Sequence, residues 1–256
     1  MQPAIAPSRL AFLAAFVALI ALALLWHGPI AQPQNYHDFA DKRTWNDVPH
    51  AADVLSNLPF LLAGVLGLIV ALQMPRAAPS RAAWGLFFVA VAMTSAGSAF
   101  YHWEPDDFGL AIDRLPIAWA CAWITCALLA ERVDARLGGP LAQALGFGLA
   151  TLSVWLWYSG AAAGDGDLRV YLFVQFLPIA LIPLVCALTR PGILAASDWY
   201  GAIGLYLAAK VFEVLDAQTY SALAGLVSGH TLKHLLAAAA AFWLAWRLAR
   251  RVVPGD

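Results

Sequence analysis

Three histidines, one aspartate and one serine carry most of the chemistry available to an otherwise apolar chain. His230 and His234 are four residues apart (His230-Thr-Leu-Lys-His234), as are Ser98 and His102 (Ser98-Ala-Phe-Tyr-His102), and Asp113 lies eleven residues beyond His102. Residues four apart share a helix face, so His230 and His234 can point both imidazoles at one ion while Ser98 and His102 point together from another helix. Three nitrogen ligands and one open, water-filled position make the arrangement of a catalytic zinc site. Zinc lowers the pKa of its water from about 15.7 to about 7, which makes hydroxide available near neutrality. Asp113 is the candidate to orient that water and take its proton. Ser98 Oγ could hydrogen-bond the water or the developing oxyanion.

Each residue also has a plainer reading. A single histidine inside an apolar helix is often a hydrogen-bonded packing residue. Ser98 closes the small-residue run Thr94-Ser-Ala-Gly-Ser98, of the kind that lets helices approach closely. Asp113 adjoins Arg114, and a helix-start ion pair would account for it.

Hydropathy places these residues on long apolar helices. The chain has 256 residues, 62% of them hydrophobic and 12% charged, where a soluble domain carries about 25% charged residues. Its mean hydropathy is +0.71. A bilayer-crossing helix needs about 20 mainly apolar residues. Eight stretches qualify, near 10–28, 54–74, 83–102, 113–131, 140–160, 170–189, 198–216 and 230–249. This predicts an all-α integral membrane protein, a seven-helix bundle preceded by one extra hydrophobic helix. Residues 1–30 form a transmembrane or signal-anchor helix, 31–52 an outer loop and 53–251 the catalytic bundle. The first apolar run, Leu10–Trp26, exceeds the ~7–15 residues of a signal-peptide core, which favours a retained helix.

Arginine placement predicts orientation. Arg9, Arg76, Arg81, Arg132, Arg136, Arg190, Arg247, Arg250 and Arg251 fall at one set of helix ends. Glu104, Asp106, Asp107, Asp165, Asp167 and Asp216 fall at the other. By the positive-inside rule both termini are cytoplasmic. His102, Asp113 and His230 then share one depth on the outer side. Trp103, Trp155, Trp157, Tyr158 and Trp199 lie near span ends and read as interfacial belts. Lys210 and Glu213, three apart, should neutralise each other, and could also line a pocket.

The net charge of −1 and the lack of a basic cluster argue against a nucleic-acid partner. Cys121, Cys126 and Cys186 lie in apolar stretches and read as small core residues. Three lysines against twelve arginines point to a bacterial, GC-rich source and hence an inner membrane.

Taken together, Ser98-x-x-x-His102, Asp113-Arg-Leu-Pro116, His230-x-x-x-His234 and the stretch Val54-Leu-Ser-Asn-Leu-Pro-Phe60 resemble the alkaline ceramidase family. That family belongs to a group of seven-helix membrane hydrolases that includes adiponectin-receptor-like proteins. The resemblance spans about residues 36–250. It implies an intramembrane zinc amidase, with His102, His230 and His234 holding zinc and Asp113 and Ser98 acting beside it. The implied substrate is ceramide or a related N-acyl lipid, cleaved to a fatty acid and a free amine such as a sphingoid base. Two features depart from the family. The acidic segment Asp41-Lys-Arg-Thr-Trp45-Asn46-Asp47, with His50 and Asp53, does not match the spacing of the family's calcium site, which puts calcium in doubt. The N-terminal helix is extra. A receptor-like bundle with a structural metal is the alternative, requiring a fourth protein ligand such as His27, His37 or His50. A transporter is a third reading, without the internal repeat it would call for.

Overall fold

The computed structural model describes residues 5–252 of the chain. Among these the protein is all-α; the only β-type pairing is an isolated bridge between Trp45 and Val48. The helices are α1 (Pro7–His27), α2 (Ala51–Leu55), α3 (Leu58–Gln73), α4 (Arg81–Trp103), α5 (Asp107–Arg132), α6 (Pro140–Ala162), α7 (Arg169–Leu188), α8 (Ala196–Val214), α9 (Asp216–Ala222) and α10 (Gly229–Val252). Proline opens α1, α3 and α6, where a missing N–H costs nothing. The Asp106 side chain caps α5 by accepting from the Gly109 amide at 2.6 Å.

Six spans, α1, α2 with α3, and α4 to α7, are long and apolar enough to cross a membrane. The two remaining expected spans form as α8 and α10 but fall short on composition. Asp198, Lys210 and Glu213 occupy α8, and His230, Lys233 and His234 sit at the start of α10. In α10 the two cluster histidines, with Lys233 and the C-terminal arginines, lower the hydropathy.

Helix α4 packs between α3 and α5; α5 also meets α6 and α7; α10 meets α3 and α8; and α7 touches α8, closing a ring. Helix α1 packs on α7 alone among the long helices, with most of its surface exposed. The α3 face bearing Leu58, Leu62, Val65, Leu66, Ile69 and Leu72 is likewise exposed.

The α4–α5 contact brings the turn holding Ser98 against the turn holding Asp113. Pro116, inside α5, has no N–H to give the Ile112 carbonyl four residues back. That carbonyl faces Gly97 of α4, where an added Cβ would lie 2.8 Å from its oxygen. Glycine is therefore required there by close approach rather than by backbone conformation.

Two sequence expectations are corrected. Helix α5 begins at Asp107, not 113, so Asp113 lies well inside a helix and is no helix-start residue. The ion pair with Arg114, the plainer reading of Asp113, does not form; no pair within 4 Å involves Arg114 among the described residues. Trp157 and Trp199 are fully buried, whereas Trp103 and Trp155 are exposed. Trp199 stacks on Trp84 in the core, so only part of the expected belt faces outward.

Candidate metal centre

His102 ends α4, and His230 and His234 occupy the first turns of α10. The three rings converge, with centroids 4.7, 5.0 and 4.8 Å apart, and all three residues are buried. One ring nitrogen from each lies within 4.8 Å of the others, close enough to hold a metal ion. His102 Nε2 and His230 Nε2 are 3.1 Å apart. Two nitrogens on a tetrahedral zinc at ~2.0–2.1 Å would be separated by roughly 3.3 Å, so the spacing suits such an ion.

The tautomer of His234 follows from its neighbour. Ser56 Oγ donates to the Asp53 carbonyl at 3.0 Å, so its lone pair accepts from His234 Nδ1–H at 2.8 Å. His234 Nε2 is then left with its lone pair facing the cluster, and it is buried with no protein partner. A buried polar atom without a partner is costly, and a metal ion would satisfy it. His230 is placed by its backbone: Asp216 Oδ1 accepts from the His230 amide at 2.7 Å, while Oδ2 accepts from Ala40 at 2.9 Å. The same carboxylate thus ties the outer loop to the start of α10.

His27, His37 and His50 do not join the cluster. His37 bonds Tyr101 Oη and Asp107, and His50 Nδ1–H donates to the His102 carbonyl at 3.0 Å. Phe39 is the neighbour on that side; its ring centroid lies 4.5 Å from that of His102 and 4.6 Å from that of His230.

A cavity of about 830 Å³ runs from this cluster into the ring of helices. Ser98, Asp113, His230 and His234 all line it; His102 sits behind them. Asp113 Oδ1 is buried and unpartnered, and Ser98 lines the same cavity. The five residues singled out from sequence are therefore brought to one place. Deeper parts of the cavity are apolar, lined by residues such as Phe87, Ile117 and Leu244.

Lys210 pairs with Glu213 at 2.6 Å as expected from sequence, but Lys233 also reaches Glu213 at 3.0 Å. Lys233 Nζ lies 3.3 Å from His230 Nε2. Lysine inside the His230–His234 motif was visible in the sequence as an ionisable residue in an apolar helix, yet its partner lies on α8. Ser56 was legible only as part of the Val54–Phe60 stretch.

In the outer loop, Asn46 and Asp47 both have positive φ, and Trp45 and Val48 exchange backbone hydrogen bonds across them, a tight two-residue turn. Asp38 and Asp41 of the loop, and one oxygen of Asp53 in α2, have protein partners. Asp38 meets Lys42, Asp41 meets Arg43, and Asp53 accepts from Ser228 and Thr231. Burial acts to raise the pKa of Asp41, but the hydrogen bonds and charge of Arg43 prevail and hold it below the ordinary carboxylate range.

No protein-family model matches this chain, and no curated protein matches it.

Proposed function

We propose that this chain is an intramembrane zinc-dependent amidase, hydrolysing the amide bond of ceramide or a related N-acyl lipid to a fatty acid and a free amine. The observation that carries the reading is the joint placement of three convergent histidines, an unpartnered Asp113 oxygen and Ser98 around one largely apolar cavity. A set of three protein ligands, with no fourth among the described residues, favours catalysis over a structural metal. The resemblance of these motifs to the alkaline ceramidases supplies the substrate class.

A zinc ion held by His102, His230 and His234 would supply Lewis acidity, acidifying water and polarising an acyl carbonyl. Asp113 would take the proton from the attacking water and pass it to the departing amine. Ser98 Oγ–H would donate to the oxygen on which charge develops. The cavity wall of Phe87, Val91, Ile117 and Leu244 would take the acyl chain and keep bulk water from the amide. The surface of exposed leucines on α1 and α3, with six helices apolar enough to span, supports a membrane-embedded protein. Arginines at one set of helix ends support cytoplasmic termini in a bacterial inner membrane, with the site toward the outer side.

The test is to purify the protein in detergent, quantify bound metal, and follow fatty-acid release from a panel of N-acyl lipids by mass spectrometry. Stoichiometric zinc and release that disappears in His230→Ala and Asp113→Asn are expected. Release by those variants at the wild-type rate refutes the catalytic assignment, and absence of bound zinc refutes the metal centre.

A further inference from the structure

Arg114 follows Asp113 on α5 and points to a different part of the same cavity. It is 3% exposed. Its guanidinium lies over three aromatic rings from three separate elements: Tyr36 of the outer loop at 5.2 Å, Trp157 of α6 at 4.1 Å and Tyr171 of α7 at 4.9 Å. Nη1 is buried with no hydrogen-bond partner, and no carboxylate lies within 4 Å among the described residues.

That combination is unusual for a buried arginine. Three aromatic rings give the guanidinium cation–π contact. They offer its N–H groups no acceptor. Burying a charge without a hydrogen-bonded counter-charge is expensive. The other buried arginine, Arg132, has the Arg190 and Leu194 carbonyls as acceptors, while the partly buried Lys210 and Lys233 share Glu213 and Arg247 has Asp198. The nearby acid, Asp113, stands next to Arg114 in sequence but does not pair with it. Around this part of the cavity the cations Arg114, Lys210 and Lys233 face the carboxylates of Asp113 and Glu213. Asp216 is committed to two backbone amides.

We propose that Arg114, packed among Tyr36, Trp157 and Tyr171, is an anion subsite that takes a carboxylate or phosphate on a long-chain lipid. A planar fork of donors matches either group bidentately. Two sources share this chemistry: an acidic head group on the amine side of the amide, or the carboxylate of the released fatty acid. The head-group case rests on the amidase reading above; lipid-carboxylate binding does not. In the head-group case, the preferred substrate is an N-acylated amino acid or phosphorylated amino alcohol rather than a neutral amide.

Two matched probe pairs test the inference on zinc-loaded protein in detergent: N-oleoylglycine against N-oleoylethanolamine, and oleate against oleyl alcohol. KM is read where an amide is turned over and calorimetric Kd where it is not. Wild type is expected to favour the anionic member of at least one pair by about tenfold or more. In Arg114→Met that preference should fall to within about twofold, with the neutral member unchanged. Preference in the amide pair assigns the head group, and preference in the oleate pair alone assigns the product. No preference in either pair, or a preference that survives in Arg114→Met, overturns the subsite. Should Arg114→Met not fold, Arg114→Lys keeps the charge and loses the fork; undiminished preference in that variant overturns it equally. If neither amide is cleaved, the amidase reading fails, and the oleate pair still decides the subsite.

Discussion

At one end of the bundle, Glu131 and Asp198 are buried carboxylates with every oxygen engaged. Glu131 accepts from Trp84 Nε1 at 2.7 Å and from the Ile193 amide at 3.2 Å. Asp198 accepts from the Ala195 amide and from Arg247. At the other end, Asp113 and Asp53 are equally buried, yet Asp113 Oδ1 and Asp53 Oδ2 have no partner. Both ends bear the cost of taking carboxylates out of water. Only one recovers it fully within the protein. Of the two unpartnered acids, only Asp113 lines the cavity. The difference separates polar groups that hold helices together from polar groups kept ready for a ligand.

The strongest expected contrast between the two ends is in turnover. Asp113→Asn is expected to lower kcat by about 10²–10⁴-fold, the usual range for a lost general base, with little change in thermal stability. Glu131→Gln should do the reverse: a loss of about 1–3 kcal/mol in stability as buried partners go unsatisfied, and near-normal kcat in the protein that remains folded. Thermal unfolding and fatty-acid release, measured on both variants, would show whether the two ends divide in this way. Equal effects on both measurements would remove the distinction.

A smaller effect is expected at Ser56. Without its hydroxyl, His234 loses the acceptor that fixes its tautomer, and Ser56→Ala should weaken metal affinity about 10–100-fold, read by competition with a chelator. Next, Gly97→Ala must push Ile112 away from α4. It should cost about 1–3 kcal/mol of stability and lower kcat by separating Ser98 from Asp113. The smallest effect concerns Asp41, whose pKa is lowered in the folded protein. Its contribution is present above the ordinary carboxylate pKa and fades as pH falls through its lowered value. Acid should therefore loosen the outer loop before the bundle, seen as earlier protease cleavage near Arg43, and Asp41→Asn should remove that step.

Much of the candidate centre was legible in the sequence because helical spacing carries it. His230 and His234 lie on one helix, and Ser98 and His102 on another. The eleven-residue step to Asp113 crosses a single short turn, Glu104–Asp106. What was illegible depends on contacts between distant segments. Ser56 finds His234 across 178 positions. The surroundings of Arg114 come from residues 36, 157 and 171, and no local pattern distinguishes that site from the ion pair with Asp113 that sequence suggested. Trp157 looked like a surface residue near a helix end because hydropathy cannot tell an aromatic ring facing lipid from one lying under a guanidinium. The spans α8 and α10 were found by length, but their charges hold them below the composition of the other six.

The carboxylate of Asp216 serves two amides at once, that of Ala40 in the loop and that of His230 at the ligand helix. Opening the loop would surrender one of these bonds, and the posture of the carboxylate against His230 would change with it. Metal affinity and loop closure are then linked quantities, and linkage is reciprocal: whatever factor metal loading lends to the closed loop, the closed loop returns to metal affinity. The Ala40 amide should accordingly exchange with deuterium more slowly in metal-loaded than in metal-free protein, and Asp216→Ala should abolish the difference. On the amidase reading proposed above, a lipid admitted past the loop would loosen the ion meant to act on it, and reclosure would then belong to the reaction rather than precede it.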